Sequence, residues 1–424
     1  MSADAVPHVR FPALQHRDFR TLWTGMLLAS GTLAFQYYAQ IWLVFSLTES
    51  AFILGLLGAT RGVAMVVFGV YGGVLSDRID RRTLLIATSS VAMVVNVALA
   101  ATAIAGVIEL WLALILIFIA AATASIDAPV RLALIPDLVP TEHVPNAVAL
   151  TMAAQMGTFA LTPVLAGFVI DAFGPGGAYT VSVGGNVIVI VALMLLHYRG
   201  VPSGSRDRSM LSNVIEGMRY VRSDPTVLRV ILMMLTMGAF GVAIFNGLIA
   251  KWATDILELQ PGQYGLLAST WGIGSLVASY TLASTNLLDH KGRIFIVSSL
   301  LFSLSLMLFG FTRSLPIAAL AYVLNGMAMA SSGISSIAIV QSIVPNEVRG
   351  RVMSLYGLNQ STAQLNGITL GAVAQVMGMA FLLPATAAVC TAIVAGLVLT
   401  SASLRRVDST LDADRREAAP STTR

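Results

Sequence analysis

The chain has 424 residues and a formal net charge of +4 at pH 7, with 56% hydrophobic and only 11% charged residues. Its mean hydropathy is +0.82, because apolar segments recur from Leu22 to Leu404, each long enough to cross about 30 Å of hydrocarbon as a helix. Helices satisfy their own backbone hydrogen bonds, which lipid cannot do. The composition therefore excludes a soluble protein with a nucleic-acid partner and predicts an all-α integral membrane protein.

Twelve membrane spans are predicted, at residues 20–46, 51–75, 83–104, 110–129, 147–170, 177–198, 226–252, 263–287, 294–311, 315–340, 351–374 and 378–403. The chain then divides into a segment 1–19, six spans within 20–198, a polar linker 199–225, six spans within 226–404 and a tail 405–424. The first segment contains no apolar core, so we expect no cleaved signal peptide.

Basic residues are distributed unequally between the two faces of this predicted bundle. Nearly all of the 25 Lys and Arg residues fall in the N-terminal segment, alternate loops and tail. The exceptions are Lys251 and Arg313 at the other face and Arg61 within span 2. Positive loops stay in the cytoplasm, so both termini are predicted to be cytoplasmic. The single Cys390 excludes a disulfide framework.

The polar linker combines apolar and basic residues at helical spacing: Leu211, Val214, Ile215, Met218, Arg219 and Arg222. This pattern predicts a short amphipathic helix on the cytoplasmic leaflet, with its basic residues toward anionic headgroups. The alternative is an ordinary solvated linker.

The two halves of the sequence repeat weakly. Val139–Leu150 and Val344–Leu355 share Val, Pro, Glu and Leu at matching positions, and each opens the fifth span of its half. Asp289 to Arg293 likewise repeats the Asp77–Arg81 segment. Weak internal symmetry of this kind is typical of secondary transporters.

The loop Gly72–Arg82 carries five charges between two membrane-length apolar runs. Its pattern G-x-L-x-D-R-x-x-R-R resembles the loop between spans 2 and 3 of major facilitator superfamily transporters, with Asp80 where that family usually has Gly. The resemblance implies two pseudo-symmetric six-helix bundles with both termini cytoplasmic.

The same resemblance implies a gate on the cytoplasmic side. In it Asp77 would face the start of span 11, near Arg349 to Arg351, and Arg81 would reach Asp127. Asp127 and Arg131 are four residues apart and can pair on one helix face. The predicted gating or conformational residues are Gly73, Asp77, Arg78, Arg81, Arg82, Asp127, Arg131, Asp289 and Arg293. The alternative is a static surface network of little energetic weight.

Span 5 contains Pro163 and Gly167 in a segment that resembles a degraded Gly-Pro motif of superfamily exporters. Such residues let a helix bend and approach a neighbour, although plain helix packing explains them as well. In span 2 the stripe of Gly58, Gly62 and Gly69, continued by Gly73, is interpreted as structural.

Polar and aromatic residues within the spans suggest a cavity for a broad amphiphilic ligand. The resemblance implies that spans 1, 4, 7 and 10 line it, and the candidates are Gln36, Tyr37, Gln40, Arg61, Phe240, Asn246, Asn325 and Gln360. Arg61 near mid-membrane needs a partner or water. It either attracts an anionic substrate or hydrogen-bonds carbonyls to hold a helix in place.

No phosphate-binding loop of the form G-x-x-x-x-G-K-[ST] occurs, and no histidines have metal-ligand spacing. No enzyme, cofactor or metal is therefore expected. Span 4 and Glu216–Pro225 resemble the branch that includes the enterobactin exporter and macrolide efflux proteins. This implies a monomer in the bacterial inner membrane that exports drug- or siderophore-like small molecules in exchange for protons. The alternatives are an uptake symporter or facilitator of the same fold and, more distantly, a non-transporting membrane sensor.

Overall fold

The computed structural model describes residues 12–197 and 210–400, and every regular element in those residues is helical. The all-α prediction is confirmed for this part of the chain. In chain order the helices are α1 Arg17–Thr48, α2 Ala51–Arg78, α3 Arg81–Ile104, α4 Leu110–Leu138, α5 Val144–Met194, α6 Met210–Ser223, α7 Pro225–Met237, α8 Ile249–Leu257, α9 Pro261–Ser284, α10 Lys291–Phe311, α11 Leu315–Ile343, α12 Asn346–Met377 and α13 Met379–Leu399.

Short polar side chains begin several of these helices. Asp80 accepts a hydrogen bond from the Thr83 N–H at 2.9 Å, directly after the α2 helix ends. Asp224 caps α7 in the same way, and Pro225 follows it at the first helical position. A capping oxygen satisfies a backbone donor that the helix leaves free, so the charged connections also define where the apolar helices begin.

Nine helices in the described part of the chain are long and apolar enough to cross a membrane. The predicted spans 5 and 6 form the single long helix α5, in which Gly174 has a φ of 66° and breaks the helical geometry. Helices α1 and α12 fall outside the nine because polar residues interrupt their apolar runs. The count of twelve spans stays a prediction.

The predicted helix in the polar linker is present as α6, whereas residues 199–209 of that linker lie outside the described residues. Glu216 of α6 forms an ion pair with Arg351 of α12. A Cβ added at Gly217 would lie 2.6 Å from the Arg351 carbonyl oxygen. The linker helix therefore packs closely against the start of α12.

The predicted span 7, residues 226–252, is not a single regular helix in the structure. Two π-helical segments, Gly238–Val242 and Ile244–Leu248, separate α7 from α8. Such wide turns are rare and are often found at functional sites.

Buried apolar residues form three clusters, which show how the N-terminal half (α1 to α5) meets the C-terminal half (α7 to α13). One cluster contains residues of both halves, among them Trp42, Leu54, Trp252 and Leu370. A second contains only N-terminal residues, including Phe19, Leu85 and Leu134, and a third contains residues of the C-terminal half, including Phe295 and Val352, together with Val221 of α6. The halves therefore share a core at one end and have separate cores at the other.

Candidate functional site

Helix α2 contacts α12 at the end where the halves share a core. A Cβ added at Gly55 would overlap the carbonyl oxygen of Gly367, and one at Gly62 would lie 2.9 Å from Cβ of Gln364. Ser50 Oγ lies 2.9 Å from Gln375 Oε1 at the same end. Small residues let two backbones approach closely in a membrane, so glycine is required where these helices meet.

Helix α5 contacts α9 in a similar way. A Cβ added at Gly167 would lie 2.7 Å from the carbonyl oxygen of Pro261, and one at Gly265 would overlap the carbonyl oxygen of Pro163. The predicted Pro163 and Gly167 therefore lie at the contact between the halves. Whether Pro163 bends the helix during a functional cycle stays a prediction.

An acidic side chain joins the halves beside this contact. Asp171 Oδ2 accepts a hydrogen bond of 2.8 Å from the Gly262 N–H, at the N-terminus of α9. A carboxylate is favoured there by the helix dipole. We call the end that contains Ser50, Asp171, Gly262 and Gln375 the sealed end.

The helices separate toward the opposite end. A Cβ added at Gly69 of α2 or at Gly157 of α5 would meet no atom within 4 Å. The charged residues Arg81, Arg82 and Arg351 lie at this end, which we call the basic end. Among the residues whose side chains the structure describes, the two halves thus contact each other at the sealed end and lose that contact at Gly69 and Gly157, as in a transporter with one side open.

An aromatic cluster crosses the shared core near the sealed end. The ring of Tyr264 from α9 lies 6.2 Å from that of Tyr38 and 5.9 Å from that of Trp42, both on α1. Tyr322 of α11 interacts electrostatically with Tyr264. Phe245 in turn lies 5.2 Å from Tyr322. Tyr264 and Tyr322 are not among the residues predicted from the sequence, although each is an aromatic residue with a polar group deep within an apolar helix.

Arg61 reaches this cluster from α2. Its guanidinium lies 4.0 Å from the centre of the Tyr37 ring, within the range of a cation–π interaction. Its Nη1 is buried and has no hydrogen-bond partner, and among the described residues no carboxylate forms an ion pair with it. The positive charge of Arg61 is therefore matched by an aromatic ring and not by an acid.

The remaining predicted cavity residues do not form one group. Asn325 is 1% exposed and donates to Ser305 Oγ at 3.0 Å, so it joins α11 to α10. Gln36 and Gln40 are buried, Phe240 is half-buried and Gln360 is exposed. The side chain of Asn246 lies outside the described part of the structure.

The predicted contact between Arg81 and Asp127 is wrong. Arg81 Nη1 lies 2.5 Å from Asp137 Oδ2 and 2.7 Å from the Ala133 carbonyl oxygen. Asp127 is ten residues earlier on α4, which is about 15 Å along a helix. Arg81 at the first turn of α3 therefore meets the acid at the end of α4 and not the acid within it.

The other charged-loop predictions have mixed outcomes. Arg82 donates to the carbonyl oxygens of Leu193 at 2.9 Å and Met194 at 2.6 Å, which ties it to the end of α5. Arg78, Asp289 and Arg293 are exposed. The side chain of Asp77 and the surroundings of Gly73 lie outside the described part, so the predicted contact of Asp77 with α12 stays a prediction.

Asp127 and Arg131 form the predicted ion pair within α4. Their side chains are only 13% and 10% exposed, and Thr88 Oγ1 donates to Asp127 Oδ1 at 3.0 Å. The pair is therefore enclosed in the N-terminal half, whereas the pair of Arg81 and Asp137 is at the surface of the basic end.

We expect Asp171→Ala to open the sealed end in a larger share of molecules. The substitution removes the carboxylate that accepts the Gly262 N–H, and loss of such a cap costs about 1 kcal/mol. Cysteines placed at Ser50 and Gln375 report closure by forming a disulfide, in a background where Cys390 is replaced by alanine. Cross-linking should fall about fivefold.

Asp255→Ala is the matched control for this measurement. Asp255 pairs with Lys251 on the same helix at 3.0 Å, so its loss does not affect the contact between the halves. Equal cross-linking in the Asp171 variant and the unsubstituted chain would show that this hydrogen bond does not hold the sealed end.

A helical, multi-pass membrane protein whose halves close one end and diverge at the other has the architecture of a secondary transporter. The chain belongs to the major facilitator family described as transmembrane secretion effectors, whose pattern matches residues 9–422. The predicted superfamily is confirmed, and its members are transporters and not enzymes.

Named relatives cover most of the chain. Macrolide efflux protein A of Streptococcus pyogenes is 25% identical over 391 residues, which is 90% of this chain and 95% of that protein. The enterobactin exporter EntS of Escherichia coli O1:K1 / APEC is 23% identical over 357 residues, which is 84% of each. The predicted resemblance to the branch that includes macrolide efflux proteins and the enterobactin exporter is therefore confirmed.

Solved transporters share the fold. A POT family transporter in complex with 5-aminolevulinic acid matches with a TM-score of 0.74 at 12% identity, covering 92% of this chain and 96% of that one. The nucleoside transporter NupG matches with a TM-score of 0.71 at 12% identity, covering 90% of this chain and 98% of that one.

Proposed function

We propose that the protein exports amphiphilic small molecules by alternating access between its two halves. The observation that carries this proposal is the contact pattern of α2 and α5: in the described residues both helices touch the other half at the sealed end, and the contact is absent at Gly69 and Gly157 toward the basic end. A substrate entering between the halves from the basic end would meet the aromatic cluster and Arg61 before the sealed end stops it.

The proposed topology has twelve spans with both termini in the cytoplasm and six spans in each half. It counts the two parts of α5 as separate spans and includes the more polar α1 and α12. The excess of Lys and Arg in the loops of the basic end supports a cytoplasmic position for that end. The described conformation would then be open to the cytoplasm, ready to accept a substrate for export.

Reporter fusions test this topology. Fusions after Arg82, Arg208 and Arg416 are expected to read cytoplasmic, and fusions near Gly176 and Gln260 external. Gly176 follows directly on the break at Gly174 in α5, so it is the critical position. A cytoplasmic reading there would show that α5 does not cross the membrane twice.

The proposed substrates are drug- or siderophore-like molecules with an aromatic or apolar body. The names of the relatives support this class, since one is called a macrolide efflux protein and the other an enterobactin exporter. The tilted and edge-to-face rings of Tyr38, Trp42 and Tyr264 support it independently, because aromatic side chains bind apolar ring systems of varied shape.

Proton exchange is the proposed energy source, in a monomer in the bacterial inner membrane. The absence of a nucleotide-binding loop from the sequence supports an ion gradient rather than ATP. An efflux screen in intact cells tests the proposal, with a macrolide and enterobactin as the first compounds of a diverse panel. Expression should lower the cellular content of at least one compound, and an uncoupler should restore it.

Two results of that screen would contradict the proposal. Uncoupler-sensitive accumulation instead of loss would favour the uptake symporter of the same fold. No change for any compound, with normal amounts of protein in the membrane, would favour the non-transporting sensor.

Arg61→Gln is expected to weaken export of anionic compounds and to spare neutral ones. Arg61 has a ring but no acid as its neighbour, so its charge is available to a substrate anion. A hydrogen bond to a charged group contributes about 1.5–3 kcal/mol, which corresponds to a loss of roughly tenfold or more. Transport rates of paired anionic and neutral compounds provide the measurement.

Tyr37→Leu is the companion variant, since it removes the ring and leaves the charge of Arg61. It should affect both classes of compound alike. Equal losses for anionic and neutral compounds in the Arg61 variant, together with less protein in the membrane, would support a purely structural role for Arg61.

A further inference from the structure

A polar cleft lies inside the N-terminal half, separate from the contact between the halves. It has a volume of about 30 Å³, enough for one or two water molecules, and is lined by residues of α1, α3, α4 and α5. Its polar lining consists of Gln36, Thr88, Ser89, Thr123, Asp127, Arg131 and Asn186. Because one half alone forms this cleft, rocking of the halves does not open or close it in the way that it opens the substrate cavity.

The cleft contains an ion pair with spare hydrogen-bonding capacity. Asp127 binds Arg131 and Thr88, yet Arg131 Nη1 remains buried without a partner, and so does Asn186 Nδ2. Arg131 as a whole is 8% exposed. Buried polar groups of this kind are normally satisfied by water. The cleft is therefore a site for water beside a carboxylate.

Further unpartnered polar atoms extend from the cleft toward the sealed end. They are Gln40 Oε1, both amide atoms of Asn96 and the Tyr179 hydroxyl, and all three residues are at most 4% exposed. Each lies four or seven positions from a lining residue on the same helix: Gln40 is four after Gln36, Asn96 seven after Ser89 and Tyr179 seven before Asn186. Residues at these spacings share a helix face.

Each of these three residues lies closer to the sealed end than the lining residue on its own helix. Helices α1 and α3 run from the basic end to the sealed end, and the second part of α5 runs back. Seven residues along a helix cover about 10 Å. The buried Nη1 of Arg61, which has no hydrogen-bond partner, continues the series toward the sealed end, since Arg61 interacts electrostatically with Tyr179. Among the described residues, the C-terminal half has fewer such atoms, on Ser299, Asn325 and Gln364.

We propose that these residues form a hydrated path through the N-terminal half and that Asp127 at its inner end binds the coupling proton. This inference deepens the proposed proton exchange and rests on it. A hydronium ion arriving along the path gives its proton to the Asp127 carboxylate, which leaves one water molecule and a neutral carboxylic acid. The proton later leaves to water at the basic end and restores the carboxylate.

Among the residues whose side chains the structure describes, Arg131 is the only charged group that lines the cleft with Asp127. The lining residues of α1, α3 and α5 contribute amides, hydroxyls and apolar groups, and α2 approaches with Gly72 against Ile126. Protonation therefore has one direct electrostatic consequence, the loss of the partner of Arg131. That loss would let α4 shift against its neighbours, which links proton binding to the arrangement of this half.

Infrared difference spectroscopy of the full chain in lipid vesicles tests the proposal without any substrate. Acidifying the medium should produce C=O stretches of protonated carboxylic acids, and the component at the high frequency of an acid shielded from water is the band that reports Asp127. Asp127→Asn is expected to remove this band, because the amide keeps the shape and cannot take up the proton. Asp137→Asn, ten residues along the same helix, is expected to keep it.

Thr88→Val provides a second signature that does not depend on folding of the Asn variant. It keeps the carboxyl group and removes the hydroxyl that donates to it at 3.0 Å, so the band should persist at a shifted frequency. A band that survives in Asp127→Asn, or that does not move in Thr88→Val, overturns the proposal.

The result is separate from the outcome of the efflux screen. If the screen finds no exported compound but the band behaves as expected, export fails as the function and proton binding stands. Where a compound is exported, Asp127→Asn should abolish uphill export and leave substrate exchange intact, whereas loss of both to the same degree would contradict the coupling role.

Discussion

Gly55→Val is expected to prevent the sealed end from closing and to stop transport. The valine Cβ would overlap the Gly367 carbonyl oxygen, so α2 and α12 would have to move apart. Overpacking of a close contact costs about 1–3 kcal/mol, which would reduce the closed population by about five- to 150-fold. The disulfide between cysteines at Ser50 and Gln375 measures that population, and efflux of a known substrate measures the consequence.

Gly184→Val is the control for this substitution. Its Cβ would meet no atom within 4 Å, so the same change of residue is accommodated without a shift of helices. Normal cross-linking and normal transport in the Gly55 variant would show that the closed contact in the structure is not part of the transport cycle.

Asp127→Ala is expected to destabilise the protein more than any other loss of an acidic side chain on α4. It leaves the guanidinium of Arg131 buried without a counter-charge, and breaking a buried ion pair on one side costs about 3–5 kcal/mol. The midpoint of thermal unfolding in detergent should fall accordingly. Removing both charges in Asp127→Leu with Arg131→Met should recover most of the loss, because no unpaired charge remains.

Asp137→Ala provides the comparison. Its pair with Arg81 is partly exposed, at 30% and 20% of the side-chain surfaces, and pairs of that kind contribute about 0–1 kcal/mol. A loss in the Asp137 variant as large as that in the Asp127 variant would mean that burial does not distinguish the two pairs.

The two acids on α4 also show where sequence reasoning succeeds and fails. The pairing of Asp127 with Arg131 follows from a spacing of four on one helix, a local rule that holds whatever surrounds the helix. The partner of Arg81 depends on how far α3 and α4 are displaced along each other. A sequence pattern does not contain that displacement, and the resemblance to the superfamily led to the wrong acid.

Contacts across the halves were the least predictable part of the site. The stripe of Gly58 and Gly62 was recognised as a packing surface, but its partner at Gln364 to Gly371 lies some 300 residues further along the chain. The aromatic cluster was missed for the same reason, since Tyr38 and Tyr264 belong to different halves. Periodicity in the sequence indicates which face of a helix packs against a neighbour, but it does not identify the helix that packs there.

The irregular helical segment between α7 and α8 couples opening of the sealed end to the shape of the substrate cavity. Wide turns displace backbone carbonyls from their usual partners, and Asn366 of α12 donates to one of them, the Ala239 oxygen, at 2.7 Å. The next residue, Gly367, is the point where α12 meets Gly55. Parting of the sealed end would therefore pull on this hydrogen bond, and the backbone beside Phe240 would reshape at the same moment that the exit opens.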